Sequence, residues 1–127
     1  MTDALTPARI REATLAGEIL VCRCGTCGAE QAMPSSCCFN CGAGALSVYR
    51  HRGEGQLYSW VNTHTAFEKE LEREVPYTVA VVRLTGGARV YARLVCDGTQ
   101  TVTAEQDVRL DEAATRRGAF LIFRPVD

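Results

Sequence analysis

The chain has 127 residues and a mass of 13.8 kDa, room for one compact domain or two very small ones. Hydrophobic residues at 46% and charged residues at 23% exclude a disordered chain, and no window approaches the ~20 apolar residues of a membrane helix. A net charge of −1 denies it the basic excess of a typical nucleic-acid binder, so that partner class is not favoured.

The first segment, residues 1–17, is expected to hold one short helix. Thr6 offers an N-cap oxygen, Pro7 suits the first helical position and Gly17 can end the helix. Acids come early here and no long apolar core follows, so a secretory leader is not expected and the cytoplasm is the expected location.

Residues 18–46 form the second segment, which concentrates the cysteines. Six of the seven lie between Cys22 and Cys41, and only Cys96 stands apart. An odd count without a leader argues against a secreted disulfide scaffold and for a metal. Cys24-Gly-Thr-Cys27 and Cys38-Phe-Asn-Cys41 are two C-x-x-C pairs ten residues apart, each followed by a glycine, Gly28 and Gly42. Each pair can form a tight knuckle that presents two thiolates, and two knuckles complete a tetrahedral four-sulfur site. Zinc is the default ion for such a cage, and iron fits the same donors. Four protein ligands leave no open position for substrate or an activated water, so the expected role is structural. Frames that use Cys22 or Cys37 break the symmetry, and both read as small neighbours of the site. Cys96 reads as a core thiol.

Residues 47–127 carry short β-branched runs. Gln56–Thr63, Thr78–Leu84 and Arg89–Cys96 are the clearest strands, with Gly86-Gly87 turning between the last two. Val108–Leu110 and Phe120–Phe123 are the fourth and fifth, with a turn expected at Arg117-Gly118. Five short antiparallel strands suggest a closed barrel, because closure removes exposed edges. Between the first two strands, residues 66–75 place Phe67, Leu71 and Val75 at helical spacing, with Pro76 as a stop. The apolar face of that helix needs cover. It can lie on the barrel's own core or, with Tyr58, Trp60 and His64, form a partner or ligand surface. Cys96 and the two histidines, His51 and His64, show no nucleophile–base arrangement in the sequence, so no catalytic residue is expected.

The order of these features resembles the "domain of unknown function thirty-five" family. The resemblance rests on the C-x-x-C-G, x10, C-x-x-C-G ribbon with Pro34 before its second half, then Gly53-Glu-Gly55-Gln-Leu-Tyr58-Ser-Trp60. Pro76-Tyr77-Thr-Val-Ala-Val-Val-Arg-Leu and Phe123-Arg124-Pro125 complete it, spanning residues 5–125. It implies a mostly β fold: an N-terminal helix, a rubredoxin-like zinc ribbon and a five-stranded OB-fold barrel. The sequence departs from the family at Ala104–Asp107, which is polar and lacks glycine where a glycine-proline-type turn is usual before the fourth strand, and in its charged insertion between the first and second strands.

The resemblance also implies a role. Family members are small non-catalytic subunits that accompany thiolases, lipid-transfer-protein-type aldolases, hydroxymethylglutaryl-CoA synthase-like enzymes or acyl-CoA hydratases, and help hold or pass on the acyl-CoA. Thirteen of the fourteen basic residues are arginine, which suits phosphate, carboxylate and interface contacts. The alternative is a single-stranded nucleic-acid module, since ribbons and OB-folds serve that use elsewhere and Tyr58, Trp60, Tyr77 and Tyr91 could stack on bases.

Overall fold

Thr6 starts the first helix as its residue type dictates. Its side-chain oxygen accepts the Arg9 N–H at 3.2 Å, and Pro7 opens α1 (Pro7–Leu15). The computed structural model describes residues 5–63, 77–96, 102–118 and 120–126. Among them no helix is long and apolar enough to cross a membrane. The expected helix at 66–75, with His64, Phe67 and Leu71, lies outside the described residues.

Three antiparallel strands follow α1: β1 (Ile19–Cys24), β2 (Glu30–Gln31) and β3 (Leu46–His51), in the order β2-β1-β3. Ile19 pairs with His51 and Cys24 with Leu46, so the ribbon's sheet runs on past residue 46. The strands of the barrel begin beyond it. They are β4 (Glu54–Thr63), β5 (Tyr77–Leu84), β6 (Arg89–Leu94), β7 (Asp107–Leu110) and β8 (Ile122–Pro125). They close in the order β4-β5-β6-β8-β7, because β4 pairs antiparallel with β7, while β6 and β8 run parallel. The fold is mostly β, as expected, with an N-terminal helix, a cysteine ribbon and a closed five-stranded OB-type barrel.

β1 explains why a ribbon strand is apolar on both faces. Ile19 and Val21 join the barrel core around Leu57, Val82, Leu84 and Phe123. Cys22 and Cys24, pointing the other way, join Leu5, Cys38 and Leu46 in a second core. One strand thus serves two hydrophobic cores. A clamp adds to this: Tyr49 hydrogen-bonds Glu30, and the Glu30 carboxylate lies against the β5–β6 hairpin at Gly86. Gly86 has φ of +109°, which strains any residue with a side chain, and a Cβ there would stand 2.5 Å from Glu30 Oε1 and push that carboxylate aside.

The turn expected at Arg117-Gly118 is instead a helix, α2 (Glu112–Gly118), which displaces the last strand to Ile122–Pro125. Its cause is local. Asp111 Oδ1 accepts the Ala114 N–H at 3.0 Å, Glu112 occupies the first turn and Arg116 and Arg117 the last. Asp111 also ties the helix to β8, its Oδ2 lying 2.6 Å from Arg124 Nε, while buried Thr115 accepts the Ile122 N–H at 3.0 Å. The guanidinium of Arg124 and then the Ala114 N–H hold the Asp111 carboxyl below the usual carboxylate range. Its contribution to stability is therefore complete above the ordinary carboxylate pKa and is lost as pH falls through the lowered one. Asp111→Ala should cost about 1–2 kcal/mol in urea unfolding at neutral pH. Asp111→Asn, which keeps the cap acceptor, should cost less, and both penalties should shrink in acid.

A bulge interrupts β4. Leu57 and Ser59 pair with successive residues of β5, Val82 and Val81, leaving Tyr58 as the extra residue. The loop before β7 holds it open: Leu57 donates to the Gln106 carbonyl at 2.8 Å and the Glu105 N–H donates to the Leu57 carbonyl at 2.7 Å. Glu105 has φ of +65°, the left-handed region that side-chain-bearing residues seldom take.

Candidate metal centre

The two knuckles share one backbone pattern. In the first, Gly28 N–H donates to the Cys24 carbonyl at 2.9 Å and Thr26 N–H reaches Cys24 Sγ at 3.3 Å. In the second, Gly42 N–H donates to the Cys38 carbonyl at 2.8 Å and Asn40 N–H reaches Cys38 Sγ at 3.3 Å. Gly28 and Gly42 both have φ of +79° with open space around them, so backbone conformation alone demands glycine there.

The four sulfurs meet. Cys24 Sγ lies 3.6 Å from Cys41 Sγ, Cys27 Sγ lies 3.6 Å from Cys38 Sγ, and all four fall within 4.8 Å of one another. A tetrahedron with metal–sulfur bonds of about 2.3 Å has edges of about 3.8 Å, so the donor set fits a four-thiolate ion. Cys24 and Cys38 are buried, whereas Cys27 and Cys41 face solvent.

Electrostatics point the same way. Hydrogen bonds from the Asn40 amide and the Ala29 N–H lower the Cys27 thiol to about 6. The N–H groups of Cys27 and Thr26 lower Cys24. At Cys41 the Ala43 N–H lowers the pKa, but local desolvation by the packed knuckles and the sulfurs of Cys24, Cys27 and Cys38 outweigh it and push it up to about 12. Thiolates this close repel one another, and a bound cation removes the repulsion.

The neighbouring cysteines do other work. Cys22 is fully buried, burial pushes its thiol up, and its Sγ donates to the Gln31 carbonyl at 3.4 Å. Cys37 is exposed beside the second knuckle, and Cys96 packs against the barrel core. Two supporting residues escaped the sequence reading. Gln31 braces the second knuckle, its Oε1 accepting the Phe39 N–H at 2.9 Å and its Nε2 donating to the Cys37 carbonyl at 3.1 Å. Asn40 donates to Cys27 Sγ at 3.5 Å across the two knuckles. Asn40 could have been found from its place inside C-x-x-C; nothing in the sequence marks Gln31.

Of the other singled-out residues, Tyr58 points outward under the Arg89 guanidinium, 4.3 Å from its ring centre, whereas Trp60 packs against the barrel core. The bulge separates them. His51 is buried at the ribbon–barrel junction with both ring nitrogens engaged. Nδ1 accepts the Gly53 N–H at 2.9 Å, so Nε2 carries the proton that it donates to the Thr85 carbonyl at 2.7 Å.

The family model described as "ChsH2, C-terminal OB-fold domain" matches residues 50–112. The solved structure of "Ltp2-ChsH2(DUF35) aldolase" contains a chain that superposes with a TM-score of 0.73 at 30% identity, covering 94% of this chain and 94% of that one. This chain belongs to the DUF35 OB-fold family. A DUF35 protein of unknown function from Sulfolobus solfataricus shares the fold at 12% identity, with a TM-score of 0.63 over 94% of this chain and 84% of its own. A "Probable enoyl-CoA hydratase alpha subunit" from Thermomonospora curvata is 31% identical over 100 residues, which are 79% of this chain and 31% of that protein. The DUF35 chain therefore spans about a third of the length of that curated relative.

Proposed function

We propose that this DUF35 chain is a non-catalytic accessory subunit that associates with a thiolase-fold or related acyl-CoA enzyme, stabilises it and helps hold the acyl-CoA. The observation that carries the reading is the match along nearly the whole chain to the DUF35 component of an aldolase structure. The likeness to a hydratase subunit agrees with an acyl-CoA setting. Cys24, Cys27, Cys38 and Cys41 would hold one zinc ion. Four thiolates close its shell, so zinc there supplies folding energy and leaves substrate chemistry to the partner. The commitment of both His51 nitrogens to backbone groups supports the same division of labour.

The test is to tag the chain in its native cells, purify it and identify what accompanies it. An acyl-CoA enzyme is the expected companion, with turnover present in the pair and absent from the isolated subunit. Turnover of acyl-CoA by the isolated chain, abolished by Cys96→Ala or His64→Ala, overturns the non-catalytic reading.

A further inference from the structure

A barrel strand whose outer face meets water alternates apolar and polar residues. β5 does not. Ala80, Val82 and Leu84 point inward, yet Val79 and Val81 occupy the outer face. Register extends this ridge across three strands: Val79 pairs with Val61 of β4, and Val81 with Tyr91 of β6. Val61 is 66% exposed and Tyr91 73%. Such a face, on a chain with ample polar residues, marks a contact surface.

Among the described residues, arginine dominates its charge. Arg83, Arg89 and Arg93 stand on the outer faces of β5 and β6, and neither strand contains an acidic residue. Among the described acids, Glu105 lies 3.9 Å from Arg83 and so offsets that one arginine, and Glu54 lies 3.5 Å from Arg109 at the far end of β4. Tyr91 and Arg89 also line a groove of about 630 Å³ that α1 and the ribbon complete with Ile10, Leu15 and Met33. The ridge therefore runs into a pocket able to take an anchoring apolar side chain.

We propose that the outer face of β4, β5 and β6 is the docking surface for the acyl-CoA enzyme, meeting a patch with an apolar centre and a carboxylate rim. This rests on the accessory-subunit reading. Single-stranded nucleic acid fits less well. Arg89 already lies on Tyr58 and Arg93 on Tyr77, at 4.3 and 4.5 Å, which leaves Tyr91 as the one exposed aromatic face among the described ridge residues, flanked by valines that cannot stack.

The test uses the full chain and the enzyme that co-purifies with it. Val79→Glu and Tyr91→Glu should each weaken the complex about tenfold or more, with metal content and circular dichroism unchanged. Arg89→Glu should slow association and flatten its salt dependence. A photo-crosslinking residue at position 91 should capture the enzyme. If the wild-type chain takes no acyl-CoA enzyme, the functional reading and the docking face fall together. If the wild type binds but the glutamate variants bind equally well, or position 91 does not crosslink, the docking face falls alone. It also falls if Arg89→Glu abolishes binding of labelled oligo-dT, or if Tyr91→Glu converts a dimer of this chain to monomers.

Discussion

Cys38→Ser should strip the metal and unfold the ribbon, the largest loss expected from any single substitution in this chain. Cys38 is buried, its sulfur sits 3.6 Å from that of Cys27, and the Asn40 N–H orients it. Metal binding in such a site is worth roughly 10–16 kcal/mol, more than the ribbon's small core can replace. The damage should not stop there, because Val21 of β1 belongs to the barrel core and Cys22 beside it to the ribbon core. Thermal unfolding of the whole chain should move down together with metal content. Cys37→Ser, one residue away but exposed and outside the cage, should keep its ion, as should Cys22→Ser and Cys96→Ser. Full zinc occupancy in purified Cys38→Ser would sink the assignment.

Phe123→Ala should be the most damaging change in the barrel. Phe123 is 0% exposed, and it pairs with Leu94 on one side and Leu110 on the other. Removing a buried phenyl ring leaves a cavity and costs about 3–5 kcal/mol, a large share of the roughly 5–15 kcal/mol that holds a small domain together. The urea midpoint should fall accordingly with an unchanged slope. Phe123→Leu, which refills most of the volume, should lose less than half as much, and equal losses in the two variants would point away from cavity formation.

The cluster of four cysteines was legible because a knuckle is a short-range object. Two cysteines, three residues apart, and a following glycine specify its turn without help from distant chain. The barrel strands were legible for the same reason, each being a local run of β-branched residues. What could not be read was direction. Whether Trp60 points in or out depends on a bulge at Tyr58, and that bulge is held by Glu105 and Gln106, nearly fifty residues away. The outward valines of β5 were equally hidden, since a run such as Thr-Val-Ala-Val-Val carries no mark of which side faces water. α2 is a different case. Asp111, Glu112 and the Arg116-Arg117 pair are helix signals lying in plain order, but fewer than two turns separate two strand-like runs, and the β pattern on either side masked them.

β8 comes last among the described strands, yet it sits between β6 and β7. During synthesis, the earlier strands can form a curved four-stranded sheet in the order β7-β4-β5-β6, with both ends bare. Those two edges present unpaired backbone donors and acceptors until β8 emerges and pairs with both. At such a stage the nascent chain can pair with strands other than its own. A companion or chaperone that meets the protein at that moment encounters an open sheet rather than a barrel.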